Sequence, residues 1–148
     1  MSVEFGKDTP FVLIARIQVK TDYVDEYLRL AKTTDKLVRQ TESGMLHHTF
    51  DSDPYSYEKF VWTEVYANDD AFINHMNNPD VKTYLAKHID LADNLEIEIF
   101  GTVRDSVIER LGTLDCHVKY YLTHCGFSRC QQENIIVRFF KKLFNYGS

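Results

Sequence analysis

Several function classes are set aside by what this sequence has little of. Basic charge is in deficit: 17 Lys and Arg stand against 22 Asp and Glu, a formal net charge of −5 at pH 7. A nucleic-acid face needs a concentrated positive stripe to release phosphate counterions, so that class is excluded. No apolar run approaches the roughly 20 residues that span a bilayer, and the opening MSVEFGKDTP lacks the apolar core of a leader peptide. Cysteine is confined to Cys116, Cys125 and Cys130, all in the final third. An odd number of cysteines with no leader is the pattern of reduced thiols, and it implies a soluble, cytoplasmic protein. Gly-rich phosphate loops, a nucleophile elbow and paired-carboxylate signatures are missing. Zinc-binding atom types do occur near the C-terminus, at Cys116, His117, His124, Cys125 and Cys130. No C-x2-C spacing joins them, and adjacent residues on a strand point apart, so no metal is expected there.

Aromatic rings, by contrast, are abundant. Nine Tyr, ten Phe and one Trp make up 14% of the chain. Such rings pack cores and subunit interfaces, and they also line pockets for flat ligands. With 148 residues the chain is long enough to bury one substantial core.

Periodicity assigns the elements. Phe11 to Val19 alternates, with Phe11, Leu13, Ala15, Ile17 and Val19 on one face and Val12, Ile14, Arg16 and Gln18 on the other. The first face is wholly apolar and demands a cover. Asp22 is placed to cap a helix running to Gln40, whose stripe is Val24, Tyr27, Leu28, Ala31 and Val38. Glu42-Ser43-Gly44 ends it, Gly44 being able to take the left-handed conformation of a helix stop. Met45 to Asp51 reads as a second strand, in which the adjacent His47 and His48 point to opposite faces and cannot share a site. A turn at Asp53-Pro54-Tyr55-Ser56 makes a hairpin with the third strand.

The most informative stretch is Tyr57 to His88. Phe60, Trp62, Glu64 and Tyr66 share one side of a strand, and Val61, Thr63 and Val65 share the other. Asn68 can cap a helix that starts at Asp69 and carries Ala71, Phe72, His75 and Met76 on one face. Asn78-Pro79 reads as a second helix start, continued by Val81, Tyr84, Leu85 and His88. After these helices, Asn94 opens a fourth strand through Val103. The order strand, helix, strand, strand, helix, strand is that of an α+β ferredoxin-like split βαβ sandwich, residues 1–103. Residues 104–148 form a C-terminal extension that packs on the domain or its dimer mate: a short helix from Arg104 to Leu111, a strand from His117 to Thr123, and an amphipathic helix with Ile136, Phe139, Phe140, Leu143 and Phe144 on its apolar face. Attachment to a membrane surface is the alternative role for that last helix.

Trp62, Glu64, Tyr66, Ala71, Phe72, His75, Pro79 and Tyr84 occur in an order and spacing that resembles the antibiotic biosynthesis monooxygenase family, from about Phe11 to Val103. The resemblance implies a dimeric α/β barrel, in which two apolar sheet faces meet in a homodimer. It further implies a monooxygenase that needs no cofactor, the deprotonated phenol or quinol itself giving electrons to dioxygen. On that reading His75 takes the proton, helped by His88 or Tyr66, while Trp62, Phe72 and Tyr84 hold the ring and Glu64 hydrogen-bonds. The family's heme-degrading branch would place an Asn, a Trp and a ligating His where this chain has Ala15, His75 and about Ala86, so no cofactor is expected; heme degradation is the lesser alternative, with His88 reaching an iron only if the register differs. A non-catalytic dimer of the same fold, storing a small ligand or serving as structure, stays open as the alternative.

Overall fold

The structure, a computed structural model, describes residues 9–130. Its strands are β1 (Phe11–Val19), β2 (Met45–Ser52), β3 (Lys59–Tyr66), β4 (Ala92–Phe100) and β5 (His117–Tyr121). Its helices are α1 (Val24–Thr41), α2 (Asp69–Asn77), α3 (Pro79–Leu91) and α4 (Asp105–Leu111). The strands form one sheet in the order β2-β3-β1-β4-β5, antiparallel except for β5, which runs parallel to β4. The first four strands with α1 to α3 are the ferredoxin-like unit, and α4 and β5 add to its edge. The amphipathic helix expected beyond Gln131 lies outside the described residues.

Alternation along the strands decides which face is covered. Phe11, Leu13, Ala15, Ile17 and Val19 of β1, with Phe60, Trp62 and Tyr66 of β3 and Ile97 and Ile99 of β4, are buried in one core. Fully burying side chains of this size contributes about 1.5–3 kcal/mol each, which is why the helices lie on this face. From α1 come Val24, Tyr27, Ala31 and Val38, from α2 Phe72 and Met76, and from α3 Val81, Tyr84 and Leu91. The opposite face carries Val12, Ile14, Val61, Thr63 and Val65, which stay partly exposed, and an Arg16–Glu98 ion pair of 3.0 Å.

Local chemistry sets the helix starts. Asn68 accepts from the Ala71 amide at 2.9 Å and Asn78 accepts from the Asp80 amide at 3.0 Å, so each asparagine satisfies an orphan donor and α2 and α3 meet at a break. Two expectations fail. Asp22 caps nothing: it lies within a short 3-10 turn, Thr21–Tyr23, that runs directly into α1, so no side-chain cap is formed there. Gly44 is not at positive φ; what it supplies is proximity, since a Cβ there would sit 2.6 Å from Cβ of Ala71.

Candidate functional site

Between the covered sheet face and the helices lies a cavity of about 60 Å³. Trp62, Glu64, Tyr66, Phe72, His75, Tyr84 and His88, the residues singled out from the sequence, all line it. Strand β3 delivers the first three because Trp62, Glu64 and Tyr66 alternate inward, and α2 and α3 deliver the others from above. Ala15 lines it too, from β1, whereas Ala86 faces solvent on α3.

Two hydrogen-bonded groups border the cavity. In the first, His75 Nδ1 donates to Glu42 Oε2 at 2.8 Å, and Asn78 Nδ2 donates to Glu42 Oε1 at 2.6 Å. Burial by itself would lower the His75 pKa, but the Glu42 hydrogen bond and the charges of Glu64 and Glu42 outweigh it, so the net direction is upward from 6.5. Glu42 moves the other way: burial would raise it, yet its bond and charge pairing with His75, the Asn78 bond and the charge of His48 bring it below 4.5. Beside this pair, Tyr66 Oη donates to Glu64 Oε2 at 2.6 Å. Complete burial, then the adjacent Glu64 charge, push the Tyr66 phenol well above its usual value, so Tyr66 stays protonated and acts as a donor.

The second group is a chain of hydroxyls. Trp62 Nε1 donates to Tyr84 Oη at 2.8 Å, Tyr84 meets Tyr27 at 2.5 Å, and Tyr27 meets His88 Nδ1 at 2.7 Å. Since the indole can only donate, every proton is used when Tyr84 donates to Tyr27 and Tyr27 donates to His88. A protonated His88 would have to donate instead, leaving a buried hydroxyl proton without an acceptor. Burial lowers the His88 pKa, in keeping with a neutral ring that accepts at Nδ1. Burial likewise raises both tyrosines, so the chain stays uncharged.

Sequence reasoning missed four participants: Asp35, Glu42, His48 and Tyr27. His48 is the inward member of the His47-His48 pair and stacks on Trp62, with ring centroids 4.3 Å apart. Its Nδ1 donates to Asp35 at 2.8 Å, and its Nε2 lies 3.7 Å from Glu64. In the sequence pattern Tyr27 belongs to an apolar stripe and Glu42 to a helix end. The single available signal was polar atoms on otherwise apolar faces. Among the described residues no three His, Cys, Asp or Glu side chains are grouped to hold a metal ion. Chemically the cavity can take a small, mostly apolar molecule and offer it two imidazoles each paired to a carboxylate, His75 and His48, and one neutral imidazole, His88.

Comparison with known proteins agrees with this architecture. The sequence profile described as "Antibiotic biosynthesis monooxygenase" matches residues 10–87. An uncharacterized protein of Synechocystis is 31% identical over 96 residues, 64% of this chain, which spans 65% of that relative's length. MupZ from Pseudomonas fluorescens superposes with a TM-score of 0.65 at 13% identity, covering 82% of this chain and 95% of MupZ. PA3566 from Pseudomonas aeruginosa gives 0.59 at 22% identity over 66% of this chain and 96% of its own. Rv0793 from Mycobacterium tuberculosis gives 0.59 at 18% identity over 66% and 99%. At such identities the structural likeness is one of fold.

Proposed function

Because the chain belongs to the antibiotic biosynthesis monooxygenase family, we propose that it oxidises a small aromatic, phenolic or quinol-type molecule with dioxygen and no added cofactor. In such a reaction one oxygen atom enters the ring and the other leaves as water. The substrate supplies the electrons once its phenolic proton is gone, so the protein's task is proton removal and exclusion of solvent. The observation that carries the proposal is His75 on the cavity wall with Nδ1 fixed by Glu42 at 2.8 Å. Among the described residues Nε2 has no protein partner, which leaves it to receive the proton. Trp62, Phe72 and Tyr84 contact the ring, Tyr66 accepts from a ring hydroxyl while its own proton stays in the bond to Glu64, and the neutral His88 presents its Nε2 proton at the far end. The working unit is a homodimer closed over the outer sheet faces.

One observation favours a second reading. An apolar cavity of about 150 Å³ is the size known to accept benzene. The present cavity holds about 60 Å³. A dimer of the same fold whose interior is filled by its own rings, serving to bind a small ligand or as structure, fits that volume without rearrangement. Oxygen uptake on a panel of hydroquinones separates the two. The enzyme reading expects turnover by the native protein and a fall of about 10²–10⁴-fold in His75→Ala, the usual contribution of a general base. Native protein that consumes no oxygen with any of them returns the chain to the second reading.

A further inference from the structure

A cavity of about 60 Å³ must open to admit a ring, and the surface shows where. A groove of about 390 Å³ lies outside it, between the C-terminal half of α3, the start of β4 and the turn that joins α4 to β5. Leu85, His88, Leu95 and Leu114 line both spaces, so these side chains are the partition between them. Leu85, Leu95 and Leu114 are its apolar, half-buried members; Leu95 is fixed in β4, while Leu85 on α3 and Leu114 in the turn after α4 stand on opposite banks. We propose that this groove is the route into the cavity, that Leu85 and Leu114 are the gate, and that the route selects neutral flat molecules over anions.

Three features support it. First, α4 is held at both ends while the turn after it is held only locally. The Arg104 amide and Nε donate to Asp69 Oδ2 at 2.9 and 3.0 Å, and Arg110 Nη2 donates to the Met76 carbonyl at 2.9 Å. By contrast, among the described residues the Thr113 and Leu114 amides bond only back to Arg110 and Leu111 of α4, at 3.2 and 3.0 Å. Leu114 can therefore swing without undoing the anchor of α4. Second, the groove presents Asp93 and Asp115 at its mouth and, among the described residues, no lysine or arginine, so an approaching anion meets repulsion. A phenol would enter neutral and lose its proton inside. Third, Leu114 lies beyond residues 10–87, the part matched to the family, while Leu85, His48 and His75 lie within it, so one leaf of the door comes from the extension and the other from the shared core. The selectivity rests on the oxidative reading only for what passes; the passage itself does not.

Trp62 makes passage measurable. It is the chain's one tryptophan, lines the cavity and is 3% exposed, so quenching of its fluorescence reports what reaches the interior. In the full chain, Leu114→Ala and Leu85→Ala should each raise the acrylamide quenching constant severalfold, and Leu114→Phe should bring it below the native value. Leu122→Ala, at an exposed leucine away from both spaces, should leave it unchanged. Iodide should quench less than acrylamide in every gate variant, and Asp93→Asn with Asp115→Asn should narrow that difference. Acrylamide quenching unmoved by Leu114→Ala and Leu85→Ala, or raised equally by Leu122→Ala, overturns the gate; iodide matching acrylamide overturns the selectivity. If the alanine variants do not fold, Leu114→Phe decides alone: reduced quenching supports the gate and native quenching overturns it. No turnover is needed for these readings. Gated quenching without oxygen uptake would sink the oxidative reading and leave the gate, while oxygen uptake with ungated quenching would do the reverse.

Discussion

The His75–Glu42 contact sets the pH behaviour of the site because both partners are shifted by the same bond. His75 is raised above 6.5 in the fold, so its contribution to stability is fully present below 6.5 and is lost as pH rises through the raised value. Glu42 is lowered below 4.5, so its contribution is present above 4.5 and lost as pH falls through the lowered value. Between those ordinary values the pair stabilises in full. Glu42→Gln keeps the shape and removes the charge, so it should cost about 1–3 kcal/mol at pH 6. That loss should shrink as pH rises through the raised His75 value and the imidazole loses its charge, and paired denaturant melts across that range check it. The same substitution should move the imidazole titration, followed by NMR, and the rising limb of any activity profile to lower pH. The remaining charge of Glu64 keeps the shift partial. An unmoved titration would mean that Glu42 does not hold the proton on His75. Nothing in the sequence could reveal this pair, since its members are 33 positions apart and meet only when α1 ends beside α2.

Elements were far more legible than partners, for a physical reason that β1 and β2 illustrate between them. In β1 nine residues alternate without interruption, because both of its neighbours bury the same face, and the expected span Phe11–Val19 is the observed one. Strand β2 sits at the sheet edge, and its pairing with β3 shifts between Met45 and His47. That bulge puts Met45 and His48 opposite the inward Tyr66 and Glu64, whereas simple alternation would group Met45 with His47. Alternation puts His47 and His48 on opposite faces but, across the bulge, does not say which of the two points inward. Helix starts at Asn68 and Asn78 were legible because a cap is local; Asp22 misled because a 3-10 turn does the same work with backbone alone. At the end of β4, Gly101 closes the element at φ +139°, and a Cβ there would lie 2.7 Å from Cβ of Phe11. Strain and overlap act together, so Gly101→Ala should cost about 1–3 kcal/mol. A thermal melt that matches the native protein would show that β4 and β1 can part without penalty.

At the scale of the molecule the question is what the outer sheet face meets. Val12, Ile14, Val61, Thr63 and Val65 form a largely apolar band across β1 and β3 that the helices among the described residues, all on the other side, do not cover. A contiguous apolar surface of this kind, rimmed by Arg16 and Glu98, is the usual mark of an interface. A second copy of the same sheet supplies a matching band, and two-fold symmetry would bring each band against its equivalent. Ile14 is the residue on which to test this, because it lies mid-strand, directly opposite Thr63 on one side and Glu98 on the other. In a lone subunit a lysine at that position can reach water, so the fold should tolerate it. Across a closed dimer the same ammonium would be buried without a matched partner, at a cost of several kcal/mol. The native chain should therefore sediment as a dimer, and Ile14→Lys should sediment as a folded monomer with native circular dichroism. Native protein that sediments as a monomer at all concentrations would remove the dimer from the proposal, and a dimeric Ile14→Lys would place the contact on another surface.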